Sequence, residues 1–189
     1  EELGLHPVGP RSVRDLVAST DFTTAETRYQ YNLDHLLVRT IDPRGAVPGT
    51  IEYDSEGRIS AVVDASGQRA TVRYEPGNRV TTTDRMGNVT LVTHDARGNV
   101  TSRVDALGNE TRYSYDSAGR VLSETNALGH VVRFEYDASG NMTAVVDPLG
   151  NRSVMTYDVR GNLLSFADPT GVTERSEYDA SNAVTATVS

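Results

Sequence analysis

Residues 115–137 read YDSAGRVLSETNALGHVVRFEYD. Two turn signals lie in this stretch, Asp116-Ser117-Ala118-Gly119-Arg120 and Asn126-Ala127-Leu128-Gly129-His130. An Asp or Asn opens a type I turn well because its side chain accepts a hydrogen bond from the backbone two residues on. The Gly closes such a turn in the left-handed region, which gives the bulged loop of longer hairpins. Between the turns, Val121 to Thr125 and Val131 to Tyr136 are rich in β-branched and aromatic residues and alternate in character, as half-buried strands do. The stretch therefore reads as a β-hairpin that starts to repeat itself at Tyr136-Asp137.

The same unit extends in both directions. Tyrosines followed by an acid or its amide occur at Tyr31, Tyr53, Tyr74, Tyr115, Tyr136, Tyr157 and Tyr178, with His94-Asp95 in the one empty slot. The steps are 22, 21, 20, 21, 21, 21 and 21 residues. Their turns carry Gly57, Gly98, Gly119, Gly140 and Gly161, whereas His35 and Asn182 stand in the glycine slot. A second series, half a period away, runs Asp42, Asp64, Asp84, Asp105, Asn126, Asp147, Asp168, each with Gly three residues on: Gly45, Gly67, Gly87, Gly108, Gly129, Gly150 and Gly171. Pro148 and Pro169 sit where a turn wants φ near −65°. About eight repeats are expected over 21–189, the first opened by Asp21-Phe22-Thr23-Thr24 without its glycine. Residues 1–20 match weakly and form an N-terminal segment or degenerate repeat.

Turns every 10 or 11 residues leave room for strands of about six residues. The fold class is all-β: tandem hairpin repeats of about 21 residues forming one continuous antiparallel sheet. A sheet that wide twists and curls, so a spiral or partial β-shell is expected. Within each repeat, large residues (Ile59, Val100, Val121, Met142, Leu163) precede small ones (Ala61, Ser102, Ser123, Ala144, Ser165) and then medium ones (Val63, Val104, Thr125, Val146, Ala167). The small residues are expected to receive bulky neighbours such as Tyr113 with Tyr115, Phe134 with Tyr136 or Met155 with Tyr157. An odd period exchanges the two sheet faces at every cycle unless one turn of each repeat carries an extra residue. Either turn can carry it. The 20-residue step at Tyr74 and the 22-residue step at Pro48-Gly49 predict a change of bulge or a bend.

Composition narrows the function. Hydrophobic residues make up 37% and aromatics 6%, with no Trp, which suits a thin sheet better than a thick core. Net charge is −8 at pH 7, and the 18 basic residues, all Arg, alternate with acids. No basic stripe is available for nucleic-acid phosphates. The absence of Cys excludes disulfides and thiolate metal sites. No apolar run reaches the roughly 18 residues of a membrane span. No leader peptide is recognised, and the start at Glu1 is what a piece of a longer protein would show.

The repeat aspartates each stand alone at a turn, so they read as turn caps and not as calcium ligands or a catalytic pair. The tyrosines read as a packing ladder more than a sugar-stacking platform. Arg58 and Arg120, after the turn glycine, pair with acids or solvate the sheet edge. His6, His35, His94 and His130 share no ligand spacing, and no nucleophile elbow, P-loop or zinc-protease motif occurs. No catalytic, cofactor or metal residue is assigned, and an enzyme is not expected.

The phrases Tyr115-Asp116-Ser117-Ala118-Gly119-Arg120-Val121 and Asp147-Pro148-Leu149-Gly150-Asn151, in registered copies over about residues 21–189, resemble the RHS or YD-repeat family. That resemblance implies hairpins that spiral into a hollow β-shell, and an exported bacterial protein that is secreted or displayed at the cell surface. Its partners would be flanking repeats and a C-terminal toxin or cargo domain of the same polypeptide. Complete toxin shells of the family end in a segment rich in further DPxG motifs that can act as a self-cleaving protease. No such segment is seen here, since the array runs out at Val188-Ser189. The alternatives are an adhesive module that binds a surface glycan or protein, and a fibre subunit that self-associates through open sheet edges.

Overall fold

The computed structural model describes residues 5–7, 14–16, 18–21 and 25–188. The expectations for Phe22-Thr23-Thr24, for Ser189 and for most of 1–20 lie outside the described residues. The chain divides into two compact units, Glu1–Leu91 and Val92–Ser189. All described elements are strands and turns.

In the first unit, β1 (Leu5–Pro7) pairs with β2 (Arg14–Leu16) as a small antiparallel sheet. An antiparallel meander follows through β3 (Ala18–Thr20), β4 (Glu26–Tyr31), β5 (Leu37–Ile41), β6 (Gly49–Tyr53), β7 (Ile59–Asp64), β8 (Arg69–Glu75) and β9 (Arg79–Thr83), each paired with the next. β10 (Val89–His94) carries the chain into the second unit. There the meander comprises β11 (Val100–Val104), β12 (Glu110–Tyr115), β13 (Val121–Thr125), β14 (Val131–Tyr136), β15 (Met142–Val146), β16 (Arg152–Tyr157), β17 (Leu163–Ala167), β18 (Thr173–Tyr178) and β19 (Val184–Val188). The hairpin reading of the sequence thus holds element by element.

The extra residue of each repeat lies beside the tyrosine. Both kinds of turn join residues at the same separation, Val104 to Glu110 and Tyr115 to Val121. One step further in, Ser114 pairs with Ser123, so Val121 and Leu122 together oppose Tyr115. The same shift recurs at Tyr136, Tyr157 and Tyr178, and in the first unit at Tyr31 and Tyr53. A β-bulge inserts one such residue and reverses parity locally. It offsets the odd period, so Arg112 and Arg133, one repeat apart, stay on one face: Arg112 pairs with Thr125, which pairs with Val131.

The two irregular steps obey the same rule. At Tyr74 the register runs unbroken from Thr71–Thr83 to Glu75–Arg79, and the turn has lost a residue. A 20-residue step with no bulge keeps the faces aligned. In the 22-residue step a second bulge appears: Asp42 N–H donates to Ala46 C=O at 2.9 Å, yet Arg39 pairs with Thr50. The extra residue falls between Ala46 and Thr50, the interval that holds Pro48-Gly49. A Cβ on Gly49 would come within 2.5 Å of the Val63 carbonyl oxygen, so only glycine fits this crowded approach.

The register corrects the expected match of small with bulky residues. Ser123 faces Ser114, Ala144 faces Glu135, Ser165 faces Thr156 and Ala61 faces Glu52. The aromatic positions pair elsewhere: Phe134 with Val145, and Met155 with Phe166. The bulge is the cause, because one extra residue carries the small positions to the face opposite the aromatics. Ala61 and Ala144 are the fully buried hydrophobic residues, and no large side chain is fully buried among the described residues. The lean composition therefore corresponds to a sheet whose two faces are only half covered.

Candidate functional site

The recurring chemical feature is the junction between one hairpin and the next. It begins with the turn. The Asp116 backbone N–H donates to the Arg120 carbonyl at 3.0 Å, and the Gly119 N–H donates to the Asp116 carbonyl at 3.2 Å. The Asp116 carboxylate then accepts from the Ala118 N–H at 2.8 Å and the Arg120 N–H at 3.0 Å through one oxygen. The other oxygen accepts from the side chain that follows the glycine: Arg120 Nε at 2.6 Å here, Asn141 Nδ2 at 2.9 Å and Asn162 Nδ2 at 2.8 Å in the next two repeats. That is why Arg or Asn follows the turn glycine. The repeat glycines all have positive φ, and His35 and Asn182 take the same backbone at φ 63° and 67°. Asn, Asp and His tolerate that region better than other non-glycine residues.

These bonds set the charge state. The Asn88 side chain and backbone hold Asp84 below the usual carboxylate range, and Asn109 does the same to Asp105. At Asp158 desolvation pushes upward, but bonds from the Asn162 side chain and backbone and from the Arg160 backbone outweigh it and bring the group to about 2. These three carboxylates are therefore ionised and accept from their own turns. Among the described residues no three His, Asp or Glu side chains gather as a metal site.

The tyrosine links repeats. Tyr136 Oη donates to the Val121 carbonyl at 3.0 Å, Tyr115 Oη to Val100 at 2.7 Å, Tyr178 Oη to Leu163 at 3.0 Å and Tyr53 Oη to Leu37 at 2.7 Å. Val121, Leu163 and Leu37 are the residues paired with a tyrosine at a bulge, and Val100 holds the equivalent place. A bulge interrupts the ladder of backbone hydrogen bonds. The tyrosine of the following repeat supplies a donor at that interruption. Burial pushes the Tyr115 hydroxyl up, so it stays protonated and can donate.

Arginines add to the junction. Arg120 lies 4.8 Å from the Tyr136 ring centroid and donates from Nη1 to the Asp137 carbonyl at 3.0 Å. Arg58 lies 4.1 Å over the Tyr74 ring. Such stacking of a guanidinium on an aromatic face is favourable. On the opposite face, Arg152 reaches over β15 to Glu135, with Nη2 to Oε2 at 2.8 Å, and Arg69 reaches over β7 to Glu52. The residues beneath are Ala144 and Ala61, which pair with those same glutamates. In two repeats without the pair, serine replaces alanine and bonds laterally: Ser123 to Ser114 at 2.6 Å, and Ser165 to Thr156 at 2.6 Å. Neither the tyrosine donors nor the clasps were found from the sequence. The spacing from Glu135 to Arg152, repeated from Glu52 to Arg69, is the signal that would have shown the clasps.

The teneurin YD-shell family matches residues 50–186, well over half of the chain. No curated protein matches. Among solved structures, the Tc holotoxin pore of Photorhabdus luminescens is 17% identical, with a TM-score of 0.45, over 86% of this chain and 12% of that one. The TcdB2–TccC3 complex is 18% identical, with a TM-score of 0.44, over 84% and 13%. The same complex without its hypervariable C-terminal region gives 17%, 0.46, 90% and 13%. The chain thus spans about an eighth of the length of these structures.

Proposed function

The chain belongs to the teneurin YD-shell family, and from that premise we propose that it is a wall segment of a larger exported protein, whose hollow β-shell encloses a toxin or other cargo domain of the same polypeptide. The observation that carries this reading is the bonding of four hairpins to the one before, by the hydroxyls of Tyr53, Tyr115, Tyr136 and Tyr178 on a carbonyl at a bulge or its equivalent place. Such junctions make a wall rigid without a thick core. Confinement is the mechanism: the wall holds the cargo until delivery, and its immediate partners are flanking repeats and the cargo. No chemical step is assigned to the segment, whose repeat aspartates such as Asp116, Asp137 and Asp158 are engaged in their own turns.

Electron microscopy of the longest natural form of the protein tests the reading. A closed hollow particle with additional density inside is expected. An open rod or filament without a cavity would overturn it and favour an adhesive or fibre-forming role.

A further inference from the structure

The repeat of Tyr74 departs from its neighbours. It has no bulge, because the register runs unbroken from Thr71–Thr83 to Glu75–Arg79. Its tyrosine is 37% exposed. Among the described residues the Tyr74 hydroxyl meets no carbonyl of the preceding hairpin, as those of Tyr53, Tyr115, Tyr136 and Tyr178 do. Charge is reversed as well. The residue before the repeat tyrosine, or before His94, is Gln30, Glu52, Thr93, Ser114, Glu135, Thr156 or Glu177 elsewhere, and Arg73 here.

That exchange turns an acceptor into a donor. Glu52 and Glu135 accept from Arg69 and Arg152, and Gln30 accepts from Arg39. A guanidinium accepts nothing, and among the described residues Arg73 has no ion pair. Glu75, on the same face, is held by Thr81 Oγ1 at 3.1 Å and lies 3.9 Å from Arg79. The residue across from Arg73 is Thr81, which carries no charge. Arg73 borders a hollow of about 410 Å³ along β8, whose walls include Arg58, Ser60, Arg69, Thr71 and Tyr74. Arg69, Thr71 and Arg73 alternate with Ala70 and Val72, so they share one face of the strand. Arg58 is neutralised by Asp54 and Glu56, and Arg69 by Glu52. Arg73 is therefore the uncompensated charge of the hollow.

We propose that this hollow is a carboxylate-binding site, with the Arg73 guanidinium as the fork that takes both oxygens and the Ser60 and Thr71 hydroxyls beside it. A planar guanidinium matches a carboxylate through two parallel hydrogen bonds. The chain's own pairs favour a carboxylate as the occupant, since Arg69 and Arg152 each reach over a strand to a glutamate. Size suits an acidic side chain or a small carboxylic acid, because pockets for small ligands begin at about 300 Å³. Arg73 is exposed, so a single carboxylate binds weakly, with a Kd of about 1 mM or more. The site holds whether or not the segment encloses a cargo.

NMR titration of the isotope-labelled chain at low salt tests this. The probe is the peptide acetyl-Gly-Glu-Gly amide, and acetyl-Gly-Gln-Gly amide is its neutral counterpart. Saturable shifts of the Thr71 and Arg73 amides are expected with the glutamate peptide, and at least tenfold weaker binding with the glutamine peptide. R73Q should lose at least tenfold in affinity. R175Q, which removes an exposed arginine of the other unit, should leave the affinity unchanged. Propionate separates the sources of the carboxylate: binding as tight as that of the glutamate peptide assigns the site to a free carboxylic acid, and weaker binding assigns it to a peptide side chain. Equal binding of the two peptides, an R73Q chain that binds like wild type, or an equal loss in R175Q would each overturn the proposal.

Discussion

At the scale of single residues, the tyrosine is the position most informative about how the chain works. Its ring is half-buried, but its hydroxyl has the more particular task of meeting a carbonyl beside a break in the ladder. Replacing Tyr136 with Phe removes one hydrogen bond to Val121 and keeps the ring under Arg120. The expected loss is about 1 kcal/mol, read from urea unfolding, and an unchanged midpoint would show that the bond contributes nothing. Ala144 makes the opposite case. It is wholly buried beneath the Arg152–Glu135 clasp, so A144L overpacks the site and should cost about 1–3 kcal/mol. A144S, which suits the equivalent position in other repeats, should cost less. The tyrosine series was visible in the sequence from its spacing alone. Its donor role was not, since the acceptor lies in another hairpin and is defined only once the bulge is located.

At the scale of strands and turns, parity governs the repeat. One bulge accompanies 21 residues, none accompanies 20, and two accompany 22. Deleting Leu122, the extra residue opposite Tyr115, should turn the strands on one side of the deletion over relative to those on the other. The expected outcome is loss of cooperative folding of the Val92–Ser189 unit, seen as loss of hydrogen-exchange protection. L122A, which keeps the residue count, should retain it. Turns also set the response to acid. Asp84, Asp105 and Asp147 ionise more readily in the folded chain than the usual 3.8, and Asp158 does so at about 2. A depressed pKa contributes stability that is fully present above 3.8 and is lost as pH falls toward 2. Melting temperature should therefore stay nearly level from pH 7 to about 5 and drop steeply between about 4 and 2. A flat profile down to pH 2 would show that the turn bonds do not favour the charged carboxylates.

At the scale of the molecule, a chain with no large side chain fully buried among its described residues gains stability from contacts between neighbouring repeats. The denaturant slope of unfolding follows the surface newly exposed. It should therefore fall below that of a compact globular protein of the same length, as measured by urea titration. A slope typical of a globular domain would mean that more surface is buried than these repeats bury on their own.

Sequence alone determined the hairpin, its period, the turn residues and the need for one extra residue per repeat. Each of these is local: a glycine at positive φ, an Asp accepting from its own turn, side chains alternating along a strand. Tertiary structure decided which turn carries the bulge, and with it which residues share a face. The shift moved Ser123 and Ala144 away from the aromatics, brought Glu135 and Arg152 together over β15, and set the Val121 carbonyl before the Tyr136 hydroxyl. The Glu135–Arg152 and Val121–Tyr136 contacts cross from one hairpin to another, and all of these placements depend on a backbone irregularity that no single strand pattern contains.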